Sequence, residues 1–234
     1  MEKFTTILKS YSLRGGKNLN ETDQSLINTL KQFDFSKYIN TNPIIEIGSG
    51  DGKVIIKIAQ QNPTQQFISC EVFPSGVVKI IKSIQQNQLG NISVYKEDAR
   101  IVLSKISEKS LSQIWILYPD PWPKKRHNKR RIINQYLLDL IYQKLNTNGK
   151  LIFATDHHSY YEYFLEIIKE NEQKFNIEQI YSFNVATNSI TTQSGNLLIE
   201  DDRNYQLINT IFSSKYAGKN LAETEIHYAI ILQK

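Results

Sequence analysis

The chain has one cysteine, Cys70, among its 234 residues, so it can form no intramolecular disulfide and offers no thiolate cluster to a metal. Cys70 sits in Phe67-Ile68-Ser69-Cys70-Glu71, where a small buried strand residue is the expected role. Histidine is scarce as well. His127, His157, His158 and His227 show no zinc-ligand spacing, and no metal is expected. No apolar run approaches the ~20 residues of a membrane span. The opening residues Met1-Glu2-Lys3-Phe4-Thr5-Thr6-Ile7-Leu8-Lys9 lack a secretory apolar core, and Glu2 is out of place in a transit peptide. These absences predict a soluble, cytoplasmic protein with no membrane partner. Internal repeats and low-complexity blocks are also missing. Proline is sparse, six in all, yet Pro119, Pro121 and Pro123 crowd into one short stretch.

What is present suits one large α/β domain over 19–234, preceded by a flexible basic arm over 1–18 that carries Lys3, Lys9, Arg14 and Lys17 around Gly15-Gly16. Short apolar runs alternate with segments of helical period, the pattern of a sheet covered by helices on both faces. Seven strands are predicted, at 44–47, 67–71, 92–95, 114–118, 151–155, 177–183 and 226–232. Helices are predicted at about 20–33, 52–61, 74–89, 99–106, 132–146, 159–171 and 205–216, with Asn20 and Asp23 as a capping pair for the first. Asn148-Gly149 supplies a turn before the fifth strand, and residues 184–204 are polar and patternless, which predicts a long loop.

The stretch Tyr118-Pro119-Asp120-Pro121-Trp122-Pro123-Lys124-Lys125-Arg126-His127-Asn128-Lys129-Arg130-Arg131 joins a carboxylate held between prolines to a cationic cluster. It follows the strand-like Gln113-Ile114-Trp115-Ile116-Leu117, so Asp120 should stand at a strand's C-terminal end, the edge where open α/β sheets bind ligands. Prolines on both sides restrict the backbone there. Six of the eight residues from Lys124 to Arg131 are Lys or Arg, and removing them from the net charge of +5 leaves about −1. One electropositive face and a phosphate-bearing partner are implied.

Ile44-Ile45-Glu46-Ile47-Gly48-Ser49-Gly50-Asp51-Gly52 ends the first strand in a glycine turn before a helix. Such a turn lets a ligand approach the backbone and the free N–H groups of the helix start. The dinucleotide fingerprint fails at Lys53. Glu46 and Asp51 place negative charge where a pyrophosphate would be repelled, which suits a sulfonium and an ammonium instead. Glu71, roughly 20 residues after the turn, is placed to accept from ribose hydroxyls, and Asp98 could accept from an adenine amine. Taken singly these acids are ordinary solvated strand ends; together they point to S-adenosylmethionine held by Glu46, Gly48, Gly50, Glu71 and Asp98.

The run Pro119-Asp120-Pro121-Trp122-Pro123-Lys124-Lys125-Arg126-His127-Asn128-Lys129-Arg130-Arg131, with Ala154-Thr155-Asp156 and Thr210-Ile211-Phe212, resembles the bacterial tRNA (guanine-N7)-methyltransferase family, and the likeness spans nearly the whole chain. It implies a class I, Rossmann-like fold: a seven-stranded mixed sheet, mostly parallel, with an antiparallel C-terminal strand. It implies methyl transfer to a guanosine of the tRNA variable loop. It further implies S-adenosylmethionine contacts at Glu46, Glu71, Asp98 and Asp120, substrate contacts at Lys124, Asp156 and the Thr210, Ile211, Phe212, Ser213 segment, and RNA contacts at Arg126, His127, Asn128, Lys129, Arg130 and Arg131. The chain departs from the family at Ser213, where a glutamate is usual; Glu200, Asp201 and Asp202 are the candidate replacements. A monomer or weak homodimer is expected.

Guanine N7 carries a lone pair and no proton, so its methylation needs no general base and rests on positioning and electrostatics. Asp120 is the expected catalytic carboxylate, Asp156 the reader of the guanine edge, and Trp122 either a base-stacking or a packing residue. The alternatives are another class I nucleic-acid methyltransferase, such as one acting on an exocyclic amine, and a non-catalytic RNA-binding subunit.

Overall fold

The computed structural model describes residues 19–32, 34–198, 202–214 and 226–234. The predicted arm over 1–18 lies outside them, as do Glu200 and Asp201. The strands are β1 (Ile44–Ile47), β2 (Phe67–Cys70), β3 (Ile92–Tyr95), β4 (Leu111–Leu117), β5 (Leu145–Thr155), β6 (Asn176–Asn184), β7 (Ser189–Thr192) and β8 (Ile226–Gln233). The helices are α1 (Glu21–Asn28), α2 (Lys53–Gln61), α3 (Pro74–Gln86), α4 (Ala99–Lys105), α5 (Gln135–Lys144), α6 (His158–Lys169) and α7 (Tyr205–Phe212). Strand order is β3-β2-β1-β4-β5-β8-β6-β7. The pairs from β3 to β5 are parallel, and β8 runs antiparallel to both β5 and β6. The mixed, mostly parallel sheet is therefore as expected, with eight strands among the described residues against the seven predicted.

The extra strand is β7, inside the stretch predicted as loop. Asn184 makes the turn: its side chain accepts from the N–H of Ala186 and Thr187 at 2.9 and 3.1 Å. Ser189–Thr192 then pairs back along β6. Its Ser-Ile-Thr-Thr sequence has no apolar pattern because an edge strand need not bury a face.

Side-chain alternation divides each central strand between two cores. Ile45, Ile114, Ile116 and Phe153 face α4, α5 and α6 on one side. Ile44, Trp115, Leu117 and Ile152 face α2, α3 and α7 on the other. Burial of this kind is worth roughly 1.5–3 kcal/mol per large aliphatic or aromatic side chain.

Helix ends fall where caps dictate. Asn20 accepts from the Asp23 N–H at 2.7 Å. Asn134 accepts from Leu137 at 3.0 Å, so α5 starts three residues later than its apolar period suggests. The Asn148-Gly149 turn lies inside β5: pairing with β4 jumps from Leu111↔Leu145 to Gln113↔Lys150, and Asn148 takes φ +65° in the resulting bulge.

Parallel register sets the ends of β1, β2, β3 and β4 side by side, with Ile47 opposite both Cys70 and Ile116, and Cys70 opposite Tyr95. Between β1 and β4 the order of connection reverses, which opens the crevice in which such sheets hold ligands.

Candidate active site

Gly48, Gly50 and Gly52 all have left-handed backbones, at φ +72°, +58° and +76°, a conformation that glycine takes without penalty. The N–H groups of Gly48 and Ser49 bond the Cys70 carbonyl at 2.8 and 3.2 Å, fastening the turn to β2. Glu71 fixes its far side: Oε2 accepts from Gly50 N–H at 2.6 Å and Oε1 from Phe73 N–H at 2.8 Å. The loop N–H that a pyrophosphate would compete for is thus already given to a carboxylate.

Glu46 is 3% exposed on β1, and its Oε2 has no hydrogen-bond partner. Burial pushes its carboxyl up to about 8, and the charges of Glu71 and Asp51 push the same way against a hydrogen bond from Ser49. Burial also raises the Glu71 carboxyl, against its backbone hydrogen bonds, and Asp120 adds to the rise. Glu46, Glu71, Asp51 and Asp120 thus stand close enough for their charges to act on one another.

Asp120 is exposed at the crest of the turn after β4. Its charge bears on Glu71 and on Tyr160, which places it between the end of β2 and the start of α6. Tyr118 and Trp122, on either side of it, hold φ +50° and +45°, strained values for bulky residues and of a kind that clusters at functional sites.

Beyond the turn, Lys125–Arg130 coils into a short 3-10 helix with no buried residue. Lys124, Lys125, Arg126 and Lys129 are exposed, and His127, Asn128 and Arg130 are half-buried. Arg130 lies over the Trp122 ring at 4.9 Å and His127 meets the ring edge-on at 5.9 Å, so Trp122 packs within its own loop. Arg131 corrects its assignment as an RNA contact. It is 5% exposed, its Nε donates to the Pro121 carbonyl at 2.8 Å, and its guanidinium lies against Tyr160 and Tyr163.

Asp98 caps α4 and holds Arg100 with both oxygens, at 2.9 Å to Nε and 2.6 Å to Nη2. Burial opposes its ionisation, but the hydrogen bonds and charge of Arg100 outweigh it and keep the carboxyl below its usual value. Asp156 follows β5 in a turn closed by His157 N–H to Thr155 Oγ1 at 3.1 Å, and its charge reaches Tyr118 and His227.

In α7, Ile211 and Phe212 belong to the core, Phe212 stacked on Phe183 at 5.5 Å, so their side chains are not substrate contacts. Thr210 is buried, and the exposed Ser213 donates back to the Asn209 carbonyl at 2.7 Å. Asp202 does not replace the missing glutamate, because its carboxylate accepts from the Asn204 N–H at 2.7 Å at the opposite end of α7. Ser214, which no sequence signal singled out, lines a shallow open cleft with Glu46, Gly48, Asp51, Lys53 and Tyr118.

Gly76 was equally invisible in the sequence. A Cβ there would stand 2.4 Å from the Gly50 carbonyl oxygen and 3.1 Å from Glu71 Cγ; only glycine lets α3 seat against the loop.

Residues 40–211 match the family described as "Putative methyltransferase". The tRNA (guanine-N(7)-)-methyltransferase of Mesomycoplasma hyopneumoniae strain J is 35% identical over 190 residues, 81% of this chain and 85% of that protein. The enzyme of the same name from Francisella philomiragia is 36% identical over 181 residues, 72% of this chain and 79% of its own length. Among solved structures, the 16S rRNA methyltransferase KamB superposes with a TM-score of 0.57 at 12% identity, covering 87% of this chain and 94% of that one. An antibiotic-related methyltransferase gives 0.54 at 17% identity, covering 95% and 98%. At these identities the structures speak for the fold, which is that of class I methyltransferases, whereas the sequence relatives speak for the family: this chain belongs to the tRNA (guanine-N7)-methyltransferases.

Proposed function

We propose that the chain transfers a methyl group from S-adenosylmethionine to N7 of a guanosine in the variable loop of tRNA. The observation that carries this is the gathering of Glu46, Glu71 and Asp120 around a glycine loop whose Gly50 N–H is already bonded to Glu71. A site so built repels a pyrophosphate and attracts a cation. The fit to the cofactor is seen in the buried Glu46 Oε2, which lacks a partner, and in Gly48, beside which even an added Cβ would meet nothing within 4 Å. When bound, S-adenosylmethionine supplies an electrophilic methyl group on a sulfonium.

Each residue then has a part. Glu46 receives the cationic amino-acid end and Glu71 the ribose hydroxyls. Asp98, held by Arg100, accepts from the adenine amine with its remaining lone pairs. Asp120 sits where positive charge passes to the purine and stabilises it there. Pre-oriented electrostatics of this sort typically account for 10²–10³ in rate, and no general base is needed at a nitrogen that bears no proton. Asp156 accepts from guanine N1–H and the exocyclic amine, a pairing that adenine lacks. Lys124 borders the base, and the exposed cations Lys125, Arg126 and Lys129 take phosphates, which position the RNA without reading its sequence.

The test is to incubate the chain with unmodified tRNA and S-adenosylmethionine, digest to nucleosides and look for 7-methylguanosine by mass spectrometry, beside Asp120→Ala. Product from the wild type and little from the variant supports the reading. Methylation at an exocyclic amine, or tight tRNA binding without product, would overturn it.

A further inference from the structure

Arg131 is the one cation of the basic run that is buried to 5% exposure. Its surroundings come from two places. Nε donates to the Pro121 carbonyl at 2.8 Å, one residue past Asp120. The guanidinium carbon stands 4.8 Å from the Tyr160 ring centre and 4.7 Å from that of Tyr163, one turn apart on α6. The same two tyrosines clasp the next stretch of chain: Tyr160 Oη accepts from Ile133 N–H at 3.4 Å, and Tyr163 Oη donates to the Ile133 carbonyl at 3.1 Å. Ile133 is itself fully buried. The aromatic pair on α6 therefore grips residues 131–133, and Arg131 carries that grip across to the turn bearing Asp120.

We propose that Arg131 is a positioning residue that sets the Asp120 carboxylate by holding the Pro121 carbonyl from a seat on Tyr160 and Tyr163, and that it is not an RNA contact. The inference rests on the functional reading of Asp120. The geometry needs such a brace. Tyr118 and Trp122 hold strained positive φ on either side of Asp120, and strain of this kind persists only where surrounding contacts over-determine it. Guanidinium is also the group suited to the task, since it is planar, permanently charged and able to stack on rings while donating in their plane. Because α6 starts just after Asp156, the brace links the two carboxylates assigned to opposite edges of the guanine.

The experiment compares Arg131→Gln, Arg131→Lys and Tyr163→Leu with Lys129→Ala. It measures kcat and KM for tRNA, and separately the salt dependence of tRNA binding. For all three brace variants kcat should fall about 10–100-fold, as expected when a reacting group is displaced by up to an ångström, with KM and the salt slope those of the wild type. Lys129→Ala should do the reverse, raising KM and lowering the slope by about 0.7–0.9. Arg131→Lys is the sharpest arm, because a phosphate contact would tolerate an ammonium and a ring-seated fork would not. A retained kcat in Arg131→Lys, or a reduced salt slope in Arg131→Gln, would overturn the inference. Should Arg131→Gln fail to fold, the lysine and Tyr163→Leu variants still decide it. A wild type that binds tRNA but makes no 7-methylguanosine would refute the functional reading instead, and the salt slopes would still say whether Arg131 meets phosphate.

Discussion

Replacing Glu46 by glutamine should stabilise the protein increasingly as pH rises, and weaken its hold on S-adenosylmethionine at the same time. The magnitude follows from the buried carboxyl, pushed up to about 8 from an ordinary value of 4.5. Between those values the folded protein keeps a proton on Glu46 that the unfolded chain has released. Folding is therefore linked to proton uptake, and wild-type stability from this group is fully present below pH 4.5 and lost as pH rises through 8. The loss is about 1.4 kcal/mol per pH unit, or roughly 5 kcal/mol across the whole interval. Glutamine has no proton to lose. Between pH 5.5 and 7.5 the variant should thus gain about 2.7 kcal/mol on the wild type, a widening of roughly 5–10 °C in Tm for a chain of this size. Thermal melts of both proteins across that range, without cofactor, are the assay. A gap in Tm that does not change with pH, or a variant less stable at pH 7.5, would refute the argument. Saturating S-adenosylmethionine should raise the Tm of the wild type more than that of the variant, because ligand stabilisation grows with affinity.

Asp120→Asn should lower kcat by about 10²–10³ while leaving tRNA affinity nearly unchanged, as measured by single-turnover methylation beside filter binding. Replacing Lys125, Arg126 and Lys129 together by alanine should raise KM for tRNA with little effect on kcat, and flatten the log Kd against log salt plot by about 2–3. Gly76→Ala places a Cβ 2.4 Å from the Gly50 carbonyl oxygen; the forced shift should cost about 1–3 kcal/mol in urea unfolding. It should also weaken cofactor binding by calorimetry, since the displaced atom belongs to the glycine loop.

The glycine loop and the acids beside it, the proposed cofactor site, stood out in the sequence because their signals are local. Glu46, Gly48 and Gly50 share one strand-turn-helix unit, and Glu71 ends the next strand with the spacing that parallel pairing demands. The central strands were legible for a similar reason: strands buried on both faces read as short, nearly continuous apolar runs. The misses arise where contact is made across the chain. A count of cations puts Arg131 with its neighbours, and only the approach of α6 buries it. Ile211 and Phe212 read as part of a motif, while their helical spacing already marked them for the core. Gly76 looks unremarkable until the Gly50 carbonyl is set 2.4 Å from its missing Cβ. β7 escaped because a polar edge strand carries no period to detect.

The separation of charge along the 118–131 stretch answers a physical difficulty that the reaction poses. The enzyme must hold a cationic cofactor and a polyanionic RNA within a few ångströms of each other, and each attracts the wrong partner. Glu46 and Glu71, buried under the glycine loop, offer their carboxyl oxygens only to a ligand small enough to enter the crevice. The outward-facing cations stand outside it on a 3-10 helix with no buried residue, where the much larger RNA can reach them. Asp120 is the exception: an exposed acid at the head of the basic run, which the proposed function sets between the two partners. Its position has to be enforced, because electrostatics alone would draw it toward the nearest lysine or arginine. Prolines on both sides limit its backbone, and the Arg131 brace fastens the carbonyl after it. A cation turned inward thus keeps an acid from collapsing onto the cations turned outward.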